Sequence, residues 1–118
     1  YRPVASKGDS SKAPLAGFLE IHGGGFMFGN IEMMDGWCQM IAAEVGVVVV
    51  SVGYRLAPEN PFPAGLEDSY AALCWLHENA EELGVDRERI AIGGQSAGGG
   101  IAAGLALYSR AMDPDAAV

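Results

Sequence analysis

The hydrophobic positions of this chain change their period several times between its two ends. Short apolar runs at 17–21, 45–53 and 89–93 predict strands, and the β-branched run at 45–53 lacks the polar alternation of a half-exposed strand. A segment of helical character follows each run. This order, strand then helix three times over, is typical of a parallel sheet with right-handed crossovers. We therefore expect an α/β fold with three αβα layers and a mainly parallel sheet.

Apolar side chains that recur every three or four residues predict two of the helices. The first ends at Gly46, and its predicted core face contains Trp37, Met40, Ile41 and Val45. The second spans about 64–83 and ends at Gly84, and its predicted core face contains Leu66, Tyr70, Leu73, Leu76, Ala80 and Leu83. The third follows the last apolar run and is rich in glycine and alanine.

The remaining segments favour irregular structure. Three prolines within six residues exclude a helix interior or a paired strand for 54–63. We expect the end of a strand at 1–4, an exposed turn or loop at 5–14, and a polar turn at 86–89.

Composition limits the classes of protein that remain. A chain of 118 residues, half of them hydrophobic, can bury one modest core, so we expect one structural unit at most. The net charge of −8 leaves no basic surface for phosphates, which argues against a nucleic-acid partner. The longest apolar run is too short to span a bilayer, and no basic-then-apolar leader is visible. These features favour a cytoplasmic protein without a membrane span.

Cysteine and histidine are too sparse to indicate a metal site or a disulfide framework. Cys38 and Cys74 fall in predicted helices, and we interpret both as buried reduced thiols. His22 and His77 lie far apart in the chain and do not have metal-ligand spacing. We expect neither a metal nor another cofactor.

The most informative segment is the turn after the last apolar run. It reads Gly94-Gln95-Ser96-Ala97-Gly98, the G-x-S-x-G pattern of a nucleophile elbow, which presents a serine hydroxyl above the end of a sheet. The pattern alone is weak in a chain with 17 glycines, and a structural turn serine is the alternative. A strand before it and a helix after it favour the nucleophile.

A second glycine turn follows the first predicted strand and reads His22-Gly23-Gly24-Gly25. Carboxyl ends of parallel strands meet at one edge of a sheet, so this turn and Ser96 are expected to share one crevice. A serine nucleophile needs N–H donors for the oxyanion that develops on its substrate. The glycine amides can approach a substrate closely, although a merely flexible loop is the alternative.

Three motifs in this order resemble the hormone-sensitive-lipase-like esterases of the α/β-hydrolase superfamily. They are HGGG after a strand, YRLAPE-x-P-F-P-A before a helix, and G-x-S-A-G-G at the elbow. The resemblance implies a carboxylic-ester hydrolase acting on small to medium acyl esters, with the 17–21 strand between the other two. The site residues that it implies are Ser96 as nucleophile, Gly24, Gly25 and Ala97 as oxyanion donors, and His22 and Gly23 as residues that shape the loop.

The chain departs from this family pattern at several points. Gln95 stands where Asp or Glu is usual, Gly53 replaces a frequent Asp, and Asn60 replaces a frequent His. These changes put supporting hydrogen bonds in doubt and leave the nucleophile in place. In this fold an Asp or Glu and then a His follow the serine along the chain.

No histidine follows Ser96. His77 is interpreted as a boundary or surface residue, and Asp113 and Asp115 as tail residues. We therefore expect residues 1–118 to be the N-terminal and central part of a single, incomplete α/β-hydrolase domain, without the cap helices and the C-terminal triad Asp and His. We expect this piece alone to be inactive, and the complete protein to be able to form a homodimer.

Other side chains allow two interpretations each. Arg55 and Glu59 suggest charge recognition of a substrate, but an internal salt bridge to Glu67 or Asp68 is favoured. Phe26 and Phe28 are candidates for lining a substrate pocket, and Trp37 is interpreted as a packing residue.

Two further classes of function remain open. One is a non-catalytic ligand-binding module, since relatives such as plant gibberellin receptors keep these motifs and lose the base. The other is a dinucleotide-binding domain, because 98–103 formally matches G-x-G-x-x-A. The position of that match inside a helix argues against it, and so does the lack of an acidic residue about 20 positions later on a second strand.

Overall fold

The computed structural model describes residues 1–4 and 13–113, and a three-stranded parallel sheet forms its centre. Its strands are β1 (Leu15–Ile21), β2 (Val48–Val52) and β3 (Val85–Gly94), in the spatial order β2-β1-β3. Both ladders are parallel, so all three strands end at the same edge. The predicted α/β class, the parallel sheet and the central position of the first strand are confirmed.

In the described part of the chain, four α-helices connect and cover these strands. They are α1 (Asp35–Val45), preceded by a 3₁₀ turn at Ile31–Met34, then α2 (Ala64–Glu78), α3 (Ala80–Leu83) and α4 (Ala97–Met112). Gly46 and Gly84 end α1 and α3 with φ of 74° and 70°, as their predicted role as helix stops requires. The proline-rich segment between β2 and α2 contains neither helix nor strand, as predicted.

The prediction of one continuous helix over 64–83 is wrong, because the helix breaks at Asn79. The side-chain amide of Asn79 donates to the Trp75 carbonyl at 2.8 Å, and its backbone N–H reaches the same oxygen at 3.0 Å. An Asn side chain that competes for backbone carbonyls favours the end of a helix over its interior. α3 therefore begins as a separate short turn.

The core has two parts, one on each face of the sheet. Leu19 and Ile21 of β1 point to the face covered by α2, α3 and α4, where Leu73, Leu76 and Leu105 complete the larger cluster. The alternate residue Phe18 points to the other face and packs with Val49 and Cys38 below α1. Burial on both faces gives the predicted three layers.

The predicted core face of the first helix is wrong in most of its members. Trp37, Met40 and Val45 are 41%, 47% and 67% exposed, whereas Cys38 and Ala42 are buried. Ile41 is half-buried and is the one predicted member that packs against the sheet. Small side chains bring α1 close to β2, so the large apolar side chains that dominated the pattern lie on the outer surface.

The start of β3 also differs from the prediction. The strand begins at Val85, and its register against β1 jumps from Leu15–Val85 to Gly17–Ile90. Residues 86–89 therefore bulge out of the ladder, and the Glu88 N–H donates to the Asp86 carboxylate at 3.0 Å. The prediction of a polar turn at 86–89 before the strand is wrong, because these residues belong to β3 and form an irregularity within it.

The strand end predicted at 1–4 is instead a short contact at the sheet edge. Tyr1 exchanges backbone hydrogen bonds with Val49 of β2 at 2.7 and 2.9 Å, while residues 1–4 are not assigned as a strand. Of the predicted loop at 5–14, residues 5–12 lie outside the described residues, as does Asp115.

Candidate active site

Ser96 occupies the sharp turn between β3 and α4. Its φ of 53° and ψ of −120° lie in a region that side chains other than glycine rarely adopt. The residue is exposed, whereas Ala97 and Gly98 directly after it are buried. The turn thus exposes Ser96, with its hydroxyl, at the carboxyl end of the sheet.

Close approach of two backbones accounts for the glycines that flank Ser96. A Cβ built on Gly94 would lie 2.3 Å from the Ile21 carbonyl oxygen, and one on Gly98 would lie 1.9 Å from the same atom. Real Cβ atoms do not approach oxygen so closely, so any larger residue would push β3 or α4 away from β1. The elbow is therefore packed directly on the end of the central strand.

The glycine turn after β1 is equally tight. The N–H groups of Met27 and Phe28 both donate to the Gly24 carbonyl, at 3.1 and 2.8 Å. Gly24 has a φ of 127°, and a Cβ there would lie 2.0 Å from the Phe28 carbonyl oxygen. Gly25 and Phe26 continue the turn with φ of 61° and 66°. Only glycine fits at the position of Gly24.

The structure brings these two turns together. A Cβ on Gly23 would lie 2.8 Å from the Gln95 carbonyl oxygen and 3.4 Å from the Ser96 Cβ. The predicted meeting of the two turns at one crevice is therefore confirmed for Gly23, which lies directly against Gln95 and Ser96. The N–H of Ala97 opens the 16-residue helix α4, whose dipole places positive potential at the same point.

His22 lies inside the glycine turn and is 1% exposed. Its Nδ1 donates to the Gly23 carbonyl at 2.7 Å, and its ring stacks on Tyr54 with 4.3 Å between centroids. The Tyr54 hydroxyl in turn donates to the His22 carbonyl at 2.7 Å. These contacts hold the backbone of the glycine turn in place, and they keep the His22 ring buried.

Two residues of this arrangement were not singled out from the sequence. Tyr54 anchors the glycine turn although it lies after β2, and its only signal was its place at the head of the YRLAPE segment. Gly29 passes under the His22 ring, where a Cβ would lie 2.7 Å from Nδ1. Both depend on tertiary contacts that no local pattern encodes.

A cavity of about 430 Å³ lies between the segment after β2, α2 and α4, and it begins at Gly100, one helical turn beyond the elbow. Phe26 lines it, together with Tyr54, Phe62, Leu66, Gly100 and Gly104. Phe28 lies outside this lining and is 69% exposed. Of the two phenylalanines predicted for a substrate pocket, the structure therefore places one in a cavity.

The favoured salt-bridge interpretation of Arg55 is confirmed. Its guanidinium donates to both carboxylate oxygens of Asp68 at 2.9 to 3.0 Å, and it lies 3.8 Å from Glu67. The hydrogen bonds from Arg55 lower the pKa of the Asp68 carboxyl. This pair ties the proline-rich segment to the first turns of α2.

The other titratable candidates lie on helices or at the end of one, and not in the two turns. His77 is half-buried in α2, and Asp113 caps the end of α4. Cys38 is buried, and burial raises the pKa of its thiol, but Cys74 is only half-buried. Within residues 1–4 and 13–113 no three His, Cys, Asp or Glu side chains form a group that could hold a metal ion.

The dinucleotide pattern at 98–103 falls within α4. The N–H groups of Gly98 and Gly100 donate to the carbonyls of Gln95 and Ser96 at 2.9 and 3.1 Å. Because these amides are already used in the helix, they cannot cradle a phosphate as a dinucleotide-binding turn does.

Comparison with known proteins agrees with this fold. The model of a family described as having the α/β-hydrolase fold matches residues 18–118. The chain belongs to the α/β-hydrolase family. Its similarity to named esterases places it with the hormone-sensitive-lipase-like members, as the motifs indicated.

Relatives of this α/β-hydrolase chain are named esterases. It is 47% identical over 104 residues to esterase LipI of Mycobacterium tuberculosis, covering 88% of this chain and 32% of that protein. It is 45% identical over 106 residues to an ethyl acetate hydrolase of Pseudomonas putida, covering 90% and 32%. A hyperthermophilic esterase from the archaeon Pyrobaculum calidifontis has a similar structure, with a TM-score of 0.86 and 45% identity over 90% of this chain and 34% of that chain.

The α/β-hydrolase chain thus spans about a third of the length of these relatives. In the part of the chain that the structure describes, no helix is long and apolar enough to cross a membrane. A homodimer and a cytoplasmic location remain predictions.

Proposed function

We propose that the protein carrying this chain is a carboxylic-ester hydrolase in which Ser96 is the nucleophile. The observation that carries the proposal is the contact between the two turns: the exposed Ser96, with a φ of 53°, faces the glycine turn at Gly23. A strained residue that is held in place by its surroundings is a feature of functional sites. The esterase names of the relatives support the same class of reaction.

In the proposed reaction the Ser96 Oγ attacks the carbonyl carbon of the ester, and its proton passes to a general base. The tetrahedral intermediate then expels the alcohol, which receives that proton, and an acyl-enzyme remains. Water, activated by the same base, hydrolyses the acyl-enzyme and releases the acid. Every step passes through an oxyanion, so donors for that charge matter as much as the nucleophile.

Gly24, Gly25 and Ala97 are the proposed donors. The positive φ at Gly24 and Gly25 and their missing side chains allow their N–H groups to approach a substrate oxygen. The Ala97 N–H adds the first amide of α4 and its helix dipole. Loss of one such donor costs ~2.7–4 kcal/mol of the activation barrier in a serine hydrolase.

The base and its orienting acid are proposed to come from outside residues 1–118. His22 is buried and its Nδ1 is bound to the Gly23 carbonyl, and His77 is half-buried in α2. Neither arrangement presents an imidazole to Ser96. This matches the order of the triad in this fold, in which acid and base follow the serine.

The substrates are proposed to be esters with small to medium acyl chains. The name of the Pseudomonas putida relative refers to ethyl acetate, the small end of that range. The cavity beside Phe26 adds room for a longer apolar group.

Fluorophosphonate labelling of the complete protein tests the proposal. We expect a covalent adduct on Ser96, and loss of both the adduct and p-nitrophenyl acetate hydrolysis in Ser96→Ala. Ser69→Ala is a matched control, because the Ser69 hydroxyl is buried and donates to the Gly65 carbonyl at 2.8 Å within α2. Labelling at another residue, with hydrolysis unchanged in Ser96→Ala, would rule the proposal out.

The alternative is a ligand-binding module of the same fold that has lost its base. The observation that keeps it open is that both histidines of this chain precede Ser96. Saturable ester binding by the complete protein, without turnover and without a fluorophosphonate adduct, would support this alternative.

A further inference from the structure

The cavity beside the elbow runs along α4, away from Ser96. Gly100 and Gly104 are four residues apart within α4, so they follow one another along one side of the helix, roughly 6 Å apart. The N–H of Gly100 donates to the Ser96 carbonyl at 3.1 Å, so the first of the two glycines lies one helical turn from Ser96. Gly100 and Gly104 both line the cavity. An ester bound at Ser96 would therefore have an open groove next to it, with the two glycines as its floor.

The walls of this groove are apolar. Leu66 and Gly65 of α2 form one side, Phe62 lies at the rim, and Phe26 extends over Gly100 from the glycine turn. Arg55 also lines the groove, but its charge is paired with Asp68. A volume of about 430 Å³ is within the range of small-molecule sites. The groove suits an uncharged, apolar group.

Packing does not account for the two glycines of the floor. A Cβ on Gly100 would lie 3.8 Å from Phe26 Cζ, and one on Gly104 would lie 3.8 Å from Leu66 Cδ1. Both are ordinary van der Waals distances, unlike the clashes at Gly94 and Gly98. Because glycine destabilises a helix interior relative to alanine, the two positions are suboptimal for the helix. What they provide is open space.

We propose that this groove binds the apolar chain of the ester substrate, and that Gly104 sets the length of unbranched chain it accepts. The inference rests on the proposed function of Ser96. Its occupant follows from the position of the near end of the groove, where Gly100 is hydrogen-bonded to the Ser96 carbonyl and Phe26 belongs to the glycine turn. The chain leads away from the reacting carbonyl between Phe26 and Gly100 and ends near Gly104 and Leu66.

The test compares p-nitrophenyl acetate with p-nitrophenyl octanoate in the complete protein. Gly104→Leu fills the far end of the groove, and Gly104→Ala fills less of it. We expect Gly104→Leu to lower the ratio of kcat/KM for octanoate to that for acetate by about ten- to a hundredfold, since two or three methylenes lose their apolar contacts. Gly104→Ala should have a smaller effect in the same direction.

Ala103→Leu is the matched control. It adds the same side chain to the neighbouring, exposed position of α4. We expect it to leave the octanoate-to-acetate ratio unchanged. The melting temperature of each variant shows whether it folds, and the alanine variant gives a readout even if the leucine variant does not fold.

The outcomes separate this inference from the proposed function. If Ser96→Ala abolishes hydrolysis but both Gly104 variants keep the wild-type ratio, the groove assignment is wrong and the nucleophile stands. An equal loss on both esters, with a lower melting temperature, would assign the groove to a segment of the protein itself and overturn the inference. If Ser96→Ala hydrolyses both esters normally, the proposed function fails and the groove assignment fails with it.

Discussion

At the scale of single residues, the most unusual side chain outside the crevice is Glu20. It is 1% exposed on β1, with one carboxylate oxygen accepting from the Ser51 hydroxyl at 3.2 Å. Its other oxygen, Oε1, has no hydrogen-bond partner among the residues described. Burial raises the pKa of this carboxyl, and the bond from Ser51 and the nearby His22 only partly oppose that effect. The thiol of Cys38 also lies near this carboxyl, on the α1 side.

The raised pKa of Glu20 predicts a loss of stability as the pH increases. Above the ordinary value of 4.5 the unfolded chain releases the proton that the folded protein still holds, so the free energy of unfolding falls with pH. The fall continues until the folded carboxyl also ionises. Glu20→Gln, which cannot ionise, should therefore become progressively more stable than the wild type through this window.

Melting temperatures of the complete protein, measured from about pH 4 to about pH 8, check this expectation. Glu44→Gln is the control, since it removes the same charge from an exposed position of α1. A difference between Glu20→Gln and wild type that does not grow with pH would contradict the prediction.

Residues whose roles follow from local spacing could be predicted, and residues whose roles follow from tertiary contacts could not. Ser96 and the HGGG glycines were singled out because turn geometry demands glycine at fixed offsets. Glu20 and Tyr54 were missed because the burial and the hydrogen bonds of both side chains depend on the elements that pack against them. Phe26 and Phe28 looked equivalent in sequence, yet only Phe26 lines the cavity.

At the scale of elements, Tyr54 connects the segment after β2 to the turn after β1. Its hydroxyl donates to the His22 carbonyl at 2.7 Å, and its ring stacks on the His22 ring. A Cβ on Gly65 at the start of α2 would lie 3.1 Å from Tyr54 Cδ2. Tyr54 is thus packed between the glycine turn and α2, and it supports the backbone that carries Gly24 and Gly25.

Tyr54→Phe removes this hydrogen bond and keeps the ring. We expect the free energy of unfolding to fall by about 1–3 kcal/mol, because the buried His22 carbonyl loses its partner. The proposed esterase activity should also fall, by roughly fivefold in kcat for each 1 kcal/mol of lost positioning of the oxyanion donors. Steady-state kinetics and thermal unfolding of the complete protein measure both effects.

Tyr70→Phe serves as the comparison, since Tyr70 packs edge-to-face on Tyr108 between α2 and α4, with 5.1 Å between ring centroids. It should leave kcat close to the wild-type value. If Tyr54→Phe lowers stability without changing kcat, Tyr54 supports the fold and not the position of the donors.

The order and type of the elements were predictable because apolar period and glycine stops agree over most of the chain. The wrong predictions fall where tertiary packing or a local side-chain hydrogen bond, and not the spacing of apolar residues, decides the structure. The core face of α1 was predicted from its largest side chains, but the side chains that pack against the sheet are the small ones of Cys38 and Ala42. The break at Asn79 and the bulge at 86–89 came from side chains that bond to their own backbone.

At the scale of the whole molecule, the described residues form a layered unit in which the turns after β1 and β3 meet at one edge of the sheet. Within residues 1–4 and 13–113 the sheet has three strands, of which β1 alone has a partner strand on both sides. The chain covers about a third of the esterases it resembles. The sequence could predict the position of the proposed nucleophile because Ser96 and the glycine turn are each defined by a short local motif. The proposed base could not be predicted by residue, because we propose that it lies outside residues 1–118.

The isolated chain of residues 1–118 should therefore lack esterase activity that depends on Ser96. It contains a strained serine and a set of N–H donors, but its histidines are the buried His22 and the half-buried His77. Removal of a triad member lowers turnover by about 10⁴- to 10⁶-fold in serine proteases, and the remaining oxyanion hole gives only about 10³- to 10⁴-fold over water. Hydrolysis of p-nitrophenyl acetate should be measured for the isolated chain and the complete protein, each with its Ser96→Ala variant, while circular dichroism verifies that the isolated chain is folded. We expect Ser96-dependent turnover in the complete protein alone.

The contrary result would be a rate in the folded, isolated chain that matches the complete protein and disappears in Ser96→Ala. It would mean that a base lies within these 118 residues, and the variants His22→Ala and His77→Ala would then identify it.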